Sequence, residues 1–400
     1  METEIKEIKG AARKTKRTIL AIILIVVIVA VGVILFLDKE AAKYSLGEAI
    51  FYYKGEGADS KLFYMLPEQE PGYLITLPSE EIELGKYKVP QRSYISNSGE
   101  ILIYFEKTEE VPIEDIGDGL TAYRKIYQPK LVDLRNSSVK NIEEKIDSGS
   151  LVFSLDDEDI AWVLRVEEST IQELESAEKK REIWLSKPDG NNARRLAALD
   201  EKVVLLQKWH DNYIYFWGIQ GIGYYNLGKI DVRNGRVTYL QPKYCLENLA
   251  NCQNFHFSPS GDLFFYEAGI VKEDDGEEVG LFIESFDGER SWQILVANYI
   301  SDRLWMPDEK SIIYTEQLTE KGVGLREKIH LVNLETKEDK EIYSGSYLSQ
   351  LVPDPSNKYL YFIEKETDEK FNLMRLDIEN SGTTIIDFGP YNQLKIFAAF

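Results

Sequence analysis

The stretch Phe257–Glu267, FSPSGDLFFYE, places a turn of Ser, Pro and Gly directly before a run of aromatic residues. Five further stretches have the same order: ISNSGEILIYF from Ile95, SLDDEDIAWVL from Ser154, WHDNYIYFWG from Trp209, MPDEKSIIYTE from Met306 and DPSNKYLYFIE from Asp354. Gly, Pro, Asn and Asp favour tight turns, whereas aromatic and β-branched residues favour strands. Each stretch therefore predicts a β-hairpin, and the chain is a repeat of such hairpins.

The spacing of the repeat suits a four-stranded unit. The last three turns lie near Pro259, Pro307 and Pro355, which are 48 residues apart. The earlier turns are spaced by about 50 to 60 residues, and a period near 50 is typical of propeller blades. After each aromatic strand comes a polar segment and then two more strands joined by a short turn, as in GLFIESFDGERSWQIL from Gly280.

The two ends of the repeat region predict the number of blades. Six units run from about Arg92 to Phe388. Three further strands precede them and one follows: Glu48–Lys54, Lys61–Pro67, Gly72–Pro78 and Gln393–Phe400. Pairing the C-terminal strand with the N-terminal strands completes a seventh blade and removes free sheet edges. We predict an all-β propeller of seven four-stranded antiparallel blades over residues 48–400, with six blades as the alternative.

The turns of the repeat resemble those of a known propeller family. Phe257–Asp262 is similar to the W-S-P-D-G-K turn of TolB-like (WD-type) propellers, and Trp305–Lys310 and Val352–Asn357 are similar to it as well. No repeat carries the full motif, and those at Ser154 and Trp209 lack its Pro. The resemblance implies the fold and a role in protein binding or as an envelope scaffold. It implies no catalytic residue, because the motif is structural.

Residues 19–37, ILAIILIVVIVAVGVILFL, predict a single transmembrane helix. These 19 residues carry no charge, and in a helix they span about 28 Å, the thickness of a bilayer core. A basic N-terminal flank predicts that residues 1–18 are a cytoplasmic tail, and that the domain after a linker at 38–47 is extracytoplasmic at the cell membrane. The residues that set this topology are Arg13, Lys14, Lys16 and Arg17. The alternative is a cleaved signal peptide, whose apolar core is usually shorter.

Net charge and cysteine content limit the classes of partner and the cellular compartment that are expected. The net charge of −21 argues against nucleic acid as a partner, because that affinity comes from Lys and Arg neutralising phosphates. Cys245 and Cys252, seven positions apart, predict a disulfide in an oxidising compartment. In a reducing compartment they would be two small buried hydrophobic residues.

The sequence contains no motif that predicts catalysis. A Gly-x-Ser-x-Gly elbow is absent, and the three histidines, His210, His256 and His330, lack zinc-site spacing. Ser285–Trp292 resembles a sialidase Asp-box, but its Asp-Gly pair is also what an ordinary hairpin turn requires. We therefore predict no catalytic residue, no metal site and no cofactor.

Acid-rich and glycine-rich segments favour loops over ligand sites. Asp156–Asp159 and Glu273–Glu278 lack the ligand spacing of a calcium loop, so solvated loops are expected there. Gly218–Gly223 has the wrong glycine spacing for a dinucleotide loop, and we predict a flexible loop.

These observations favour a non-enzymatic, membrane-anchored protein-interaction or envelope scaffold module. The predicted binding sites for a protein partner are the longest inserts between second and third strands: Lys107–Pro129, Glu167–Arg181 and Lys272–Val279. The alternative is a carbohydrate-active hydrolase or lyase that uses carboxylates in the propeller channel. A cluster of Asp or Glu with Arg or aromatic groups in one channel mouth would favour that alternative. The sequence makes no prediction of the oligomeric state.

Overall fold

The computed structural model describes residues 49–398 except for 57–58, 66–70, 82–87, 91–92, 118–119, 165–180, 222–223, 241, 249–251, 272–276, 298–299, 319–325 and 390–393. The predicted tail, spanning helix and linker at 1–18, 19–37 and 38–47 lie outside the described residues, as do Arg13, Lys14, Lys16 and Arg17. The membrane anchor therefore stays a prediction. Within the described part of the chain, no helix is long and apolar enough to cross a bilayer.

Seven antiparallel sheets follow one another along the chain, and each is one blade of a propeller. Blades 1 to 3 contain β1 (Ile50–Glu56), β2 (Asp59–Met65), β3 (Gly72–Glu81) and β4 (Lys88–Pro90); β5 (Ser93–Ile95), β6 (Ile101–Gly117), β7 (Leu120–Asp133) and β8 (Ser138–Asn141); and β9 (Ile146–Phe153), β10 (Ile160–Leu164), β11 (Arg181–Ser186) and β12 (Arg194–Leu199). Blades 4 and 5 contain β13 (Val203–His210), β14 (Tyr213–Gly221), β15 (Tyr224–Asp231) and β16 (Val237–Leu240); and β17 (Cys252–Phe257), β18 (Leu263–Val271), β19 (Glu277–Ser285) and β20 (Ser291–Ala297). Blades 6 and 7 contain β21 (Ile300–Trp305), β22 (Ser311–Leu318), β23 (Arg326–Asn333) and β24 (Asp339–Ser346); and β25 (Leu348–Pro353), β26 (Tyr359–Lys365), β27 (Phe371–Asp377) and β28 (Thr383–Gly389). A short helix, α1 (Lys243–Asn248), lies between blades 4 and 5.

The C-terminal strand β29 (Leu394–Ala398) belongs to blade 1. It pairs antiparallel with β1, from Ile50 opposite Ala398 to Lys54 opposite Leu394, and the strand order is β29-β1-β2-β3-β4. The prediction of seven blades is confirmed, and the six-blade alternative is wrong. Blade 1 has one strand more than predicted, because the short β4 pairs with the end of β3.

The second strand of a blade is buried on both faces. In β18, Phe264, Phe265 and Tyr266 are each 0% exposed. Phe264 packs into a core shared with Tyr215 of blade 4, whereas Phe265 packs with Trp305 of blade 6. Successive strand side chains point to opposite faces, and burial of such a side chain contributes about 1.5–3 kcal/mol. This packing explains why the second strands read as unbroken aromatic runs.

The turn between the first and second strands has the same backbone conformation in successive blades. In blade 5 the Ser258 N–H donates to Leu263 O (2.8 Å) and the Gly261 N–H donates to Ser258 O (2.9 Å). The fourth turn residue has a positive φ, which Gly, Asn and Asp tolerate best. In blades 2, 3, 5, 6 and 7 these residues are Gly99, Asp157, Gly261, Glu309 and Asn357, with φ of 72°, 58°, 79°, 58° and 62°. Blade 4 has a shorter turn, because His210 pairs directly with Tyr213, and there Asp211 has a φ of 49°.

Side chains at this fourth turn position join one blade to the preceding one. The Asp157 carboxylate of blade 3 accepts hydrogen bonds from the backbone N–H groups of Asn97 and Ser98 in blade 2, both at 2.7 Å. Glu309 of blade 6 accepts from the Ser260 hydroxyl of blade 5 at 2.8 Å. Such bonds to ionised acceptors are stronger than neutral ones, so the turns hold adjacent blades in register.

Candidate functional site

Strand order assigns the loops to two faces of the propeller. Consecutive strands of a blade are antiparallel, so the turns that join first to second and third to fourth strands lie at one face, called here the turn face. The loops that join second to third strands, and one blade to the next, lie at the opposite loop face. All three inserts predicted to bind a partner join strand ends at the loop face.

Blade 2 carries a hairpin that extends beyond its sheet at the loop face. β6 and β7 pair from Ile101 opposite Asp133 to Gly117 opposite Leu120. The flanking strands β5 and β8 pair only as far along them as Tyr104 and Lys130. Beyond that point no third strand joins the hairpin in the described part of the chain. We call residues 107–117 and 120–127 the blade 2 arm; at about 3.3 Å per residue it is about 30 Å long.

The arm corrects the prediction of a loop over Lys107–Pro129. The segment mixes charged residues with Val, Ile, Thr and Tyr. The charges favoured a loop, but a two-stranded ribbon that no third strand flanks among the described residues accepts charged and β-branched residues together. The other predicted inserts, Glu167–Arg181 and Lys272–Val279, lie mostly outside the described residues; Arg181 starts β11 and Glu277 starts β19.

The edges of the arm carry features that oppose unspecific strand pairing. Its register shifts between Lys107 and Glu109, again at Pro112 and again before Gly117. Bulges and Pro interrupt the regular row of edge hydrogen-bonding groups that would template aggregation. Glu109 and Pro112 are exposed. These features disfavour regular strand pairing along the whole edge of the arm.

A buried ionic cluster lies at the loop face between blades 5, 6 and 7. Arg303 Nη1 is 2.6 Å from Glu267 Oε1, and the two side chains are only 10% and 5% exposed. The Asn254 amide donates to Glu267 Oε2 at 2.6 Å. Beside them, Asp302 accepts a hydrogen bond from the Gln350 N–H at 2.8 Å. Burial raises the pKa of Glu267 and of Asp302, and the Arg303 charge opposes both shifts.

This cluster joins blades. Each carboxylate oxygen of Glu267 has a partner, and Asp302 reaches from blade 6 to the backbone of blade 7. Glu327, also buried, accepts from the Leu348 N–H. Among the residues that the structure describes, no three His, Cys, Asp or Glu side chains come close enough together to hold a metal ion. The geometry is that of a buried ionic network, in which Glu267 Oε1 is held by its ion pair with Arg303 and not by a hydrogen bond.

The channel mouth at the turn face contains two adjoining cavities, of about 370 and 450 Å³. Inner strands β5, β9 and β13 line the first cavity, and β17, β21 and β25 line the second. Lys208 lines both. Sequence reasoning missed this site, because a single Lys in a strand is usually solvated.

The structure places the predicted cysteine pair between α1 and β17. The sulfur atoms of Cys245 and Cys252 are 1.98 Å apart, as in a disulfide. Next to it, the Tyr244 ring stacks on Phe282 at 4.1 Å between centroids. The pair thus fixes the helix against blade 5.

The three histidines lie in three different blades. His210 is at the blade 4 turn, with Nε2 3.7 Å from Asp211 Oδ2. His256 stacks on Phe265 (4.9 Å), and burial lowers its pKa to about 4. His330 stacks on Tyr314 at 4.8 Å in blade 6.

The remaining segments singled out in the sequence form turns and a strand. In Ser285–Trp292 the Ser285 hydroxyl donates to Asp287 Oδ1 at 2.5 Å, within a turn between third and fourth strands. Asp156–Asp159 forms the first turn of blade 3, whereas Glu273–Asp275 lies outside the described residues. The flexible loop predicted at Gly218–Gly223 is wrong for Gly218–Gly221, which belong to β14. A Cβ at Gly218 would lie 2.3 Å from Glu201 Cγ, so the close approach of that side chain requires glycine.

Comparison with known sequences gives one partial match. No family model matches the chain. The mitochondrial import inner membrane translocase subunit TIM21 of Saccharomyces cerevisiae is 27% identical over 119 residues, which cover 27% of this chain and 49% of that protein. The chain thus spans about half the length of the curated relative it matches.

Comparison with solved structures supports the propeller fold. A prolyl endopeptidase aligns with a TM-score of 0.55 and 8% identity, covering 89% of this chain and 51% of that one. The oligogalacturonate lyase of Vibrio parahaemolyticus aligns with a TM-score of 0.54 and 10% identity, covering 86% and 92%. TolB of Acinetobacter baumannii is also similar, at a TM-score of 0.39 and 13% identity over 73% and 70% of the chains. At these identities the likeness concerns the fold alone.

Proposed function

We propose that the protein is a membrane-anchored extracytoplasmic propeller that acts without catalysis and binds a protein partner through the blade 2 arm. The observation that carries this proposal is the arm itself. The paired ribbon of about 30 Å leaves its sheet at the loop face, and its residues Thr108, Glu109, Glu110 and Pro112 are exposed and available to a partner. Partner strands and side chains recognise such exposed edges.

The proposed location rests on the N-terminal sequence and the cysteine pair. The apolar run at 19–37 and its basic flank favour a helix with its N-terminus in the cytoplasm. A disulfide between Cys245 and Cys252 persists outside a reducing cytosol. The partial match to a subunit of a mitochondrial inner-membrane translocase agrees with an association with membranes.

The hydrolase or lyase alternative has less support. Its strongest candidate residues, Glu267 and Asp302 beside Arg303, already bond to neighbouring blades. A glycosidase needs two carboxyl groups that flank a bond of the substrate, one of them free to donate a proton. Glu267 is held by Arg303 and Asn254, and Asp302 by the Gln350 N–H, so neither carboxyl group is free for this role.

The test replaces the arm and measures partner binding. Lys107 pairs with Tyr127 in register, so residues 108–126 can be replaced by an Asn-Gly turn without changing the sheet below. In a matched control, an Asn-Gly turn replaces residues 319–325, since Leu318 pairs with Arg326. Both full-length proteins are cross-linked in native membranes, purified and analysed by mass spectrometry.

We expect the control to retain the cross-linked partner and the arm replacement to lose it, with both thermal melting curves unchanged. Equal cross-linking of the two variants would contradict the role of the arm.

A further inference from the structure

The two cavities at the turn face have no role in the proposed function, and they share a positively charged wall. Lys208 lies in β13, where a register shift separates it from Leu206, and it borders both cavities. The remaining walls are mainly apolar. Trp209 of β13 borders the first cavity and Trp305 of β21 borders the second, and these side chains are 9% and 7% exposed.

Lys208 has no ion-pair partner among the described residues. Glu309 is the carboxylate whose charge acts on it most, and burial lowers the Lys208 pKa against the effect of that charge. Both Glu309 oxygens already accept hydrogen bonds from Ser260. Lys208 is partly buried, and the two cavities that it borders have the size of small-molecule sites.

We propose that the two cavities form one binding site for an organic carboxylate with an apolar body, whose carboxylate pairs with the Lys208 ammonium. Leu155, Leu304 and Val352, which line the cavities and are at least partly exposed, provide surfaces for the apolar body. A free aromatic or aliphatic acid and the C-terminal carboxylate of an apolar peptide share this chemistry.

The rim of the mouth limits the ligand to low negative charge. Asp211, whose side chain is 73% exposed, and the exposed Asp308 lie at turns beside the cavities. They repel a polyanion such as a phosphorylated chain or a polyuronate. A single carboxylate passes this rim and meets Lys208 deeper in the mouth, where the low local dielectric strengthens the pairing.

The test uses 2-naphthoate, which joins one carboxylate to an apolar ring system, and the neutral 2-naphthamide as its isostere. Binding to the full-length protein in lipid nanodiscs is measured by calorimetry. We expect saturable binding of the naphthoate, at least tenfold weaker binding of the naphthamide, and at least tenfold loss of naphthoate affinity in Lys208→Met. Lys208→Arg keeps the charge and retains binding. The control Lys340→Met removes an exposed lysine at the same face and changes nothing.

Two further measurements complete the test. Naphthoate affinity of the wild type falls as the pH rises through the lowered pKa of Lys208, whereas Lys208→Arg stays constant over that range. A peptide that ends in Leu-Trp with a free C-terminal carboxylate is measured beside the same peptide with a C-terminal amide. If the peptide acid binds more tightly than naphthoate, the ligand is a peptide C-terminus. If the peptide acid binds more weakly than naphthoate, the ligand is a small acid.

No saturable naphthoate binding, or equal affinity in wild type and Lys208→Met, would overturn the proposal. The arm replacement described above keeps the turn face intact, so it retains naphthoate binding. The two proposals can therefore fail separately.

Discussion

At the scale of single residues, Asp157 shows how a turn residue holds two blades together. Its carboxylate accepts from two backbone N–H groups and from the Asn97 amide of blade 2. Its φ of 58° is unfavourable for most residues. The hydrogen bonds to the neighbouring blade thus offset the unfavourable backbone conformation of Asp157.

We predict that Asp157→Ala lowers the free energy of unfolding by about 2–4 kcal/mol, because buried donors lose a charged acceptor. Asp157→Gly loses the same bonds but tolerates the positive φ, so its loss is smaller by about 1 kcal/mol. Urea unfolding measures both. If Asp157→Ala were as stable as the wild type, the hydrogen bonds of the Asp157 carboxylate to blade 2 would not contribute to stability.

Gly218 gives a second residue-scale prediction. A Cβ there meets Glu201 Cγ at 2.3 Å, and Glu201 is 0% exposed, whereas a Cβ at Gly269 has nothing within 4 Å. Gly218→Ala should cost about 1–3 kcal/mol by overpacking, and Gly269→Ala should be close to neutral. The melting temperatures of the two variants test this. If both substitutions lowered the melting temperature equally, the Glu201 side chain would not lie against Gly218.

At the scale of elements, the pH dependence of stability follows from carboxyl groups at strand ends. Burial raises the pKa of Glu327. Its contribution to stability is full below the unfolded pKa and is lost as the pH rises through the folded pKa. Lys370 and Asn372 lower the pKa of Glu366, whose contribution is present above the unfolded pKa and lost as the pH falls.

We therefore predict opposite pH profiles for two isosteric variants. As the pH rises above about 4, the wild type should lose stability relative to Glu327→Gln, and as the pH falls below about 4 it should lose stability relative to Glu366→Gln. Melting temperatures in a pH series measure both differences. If the two differences in melting temperature changed with pH in the same direction, burial would not control the pKa of Glu327.

Strand β29 is the element that closes the ring. It covers the edge of β1, and its Leu394 and Ile396 are buried at 2% and 5% exposure. Removing residues 394–400 should lower the melting temperature strongly and promote aggregation, because it frees a sheet edge and a buried face. Truncation after Ala398 leaves the paired register intact and should be neutral. Light scattering and calorimetry distinguish the two; a stable, monomeric 394–400 deletion would contradict closure by this strand.

At the scale of the whole molecule, the sequence predicted what depends on local patterns. Turn residues before aromatic runs located the hairpins, and the unmatched strands at both ends predicted the seventh blade. The blade 2 arm escaped prediction, because its charges resemble those of a loop. The pairing of Glu267 with Arg303 and the unpaired Lys208 escaped it as well. Both depend on how separate blades meet, which no local pattern encodes.

Site-specific photo-cross-linking in intact membranes shows whether the blade 2 arm contacts a protein partner outside the cytoplasm. A photoreactive residue at exposed Thr108 on the arm is compared with one at exposed Lys340 on the opposite face. We predict a discrete cross-linked adduct from position 108, sensitive to protease added outside the cell, and none from position 340. Equal adducts from both positions, or none from position 108, would show that the arm is not the partner-binding site.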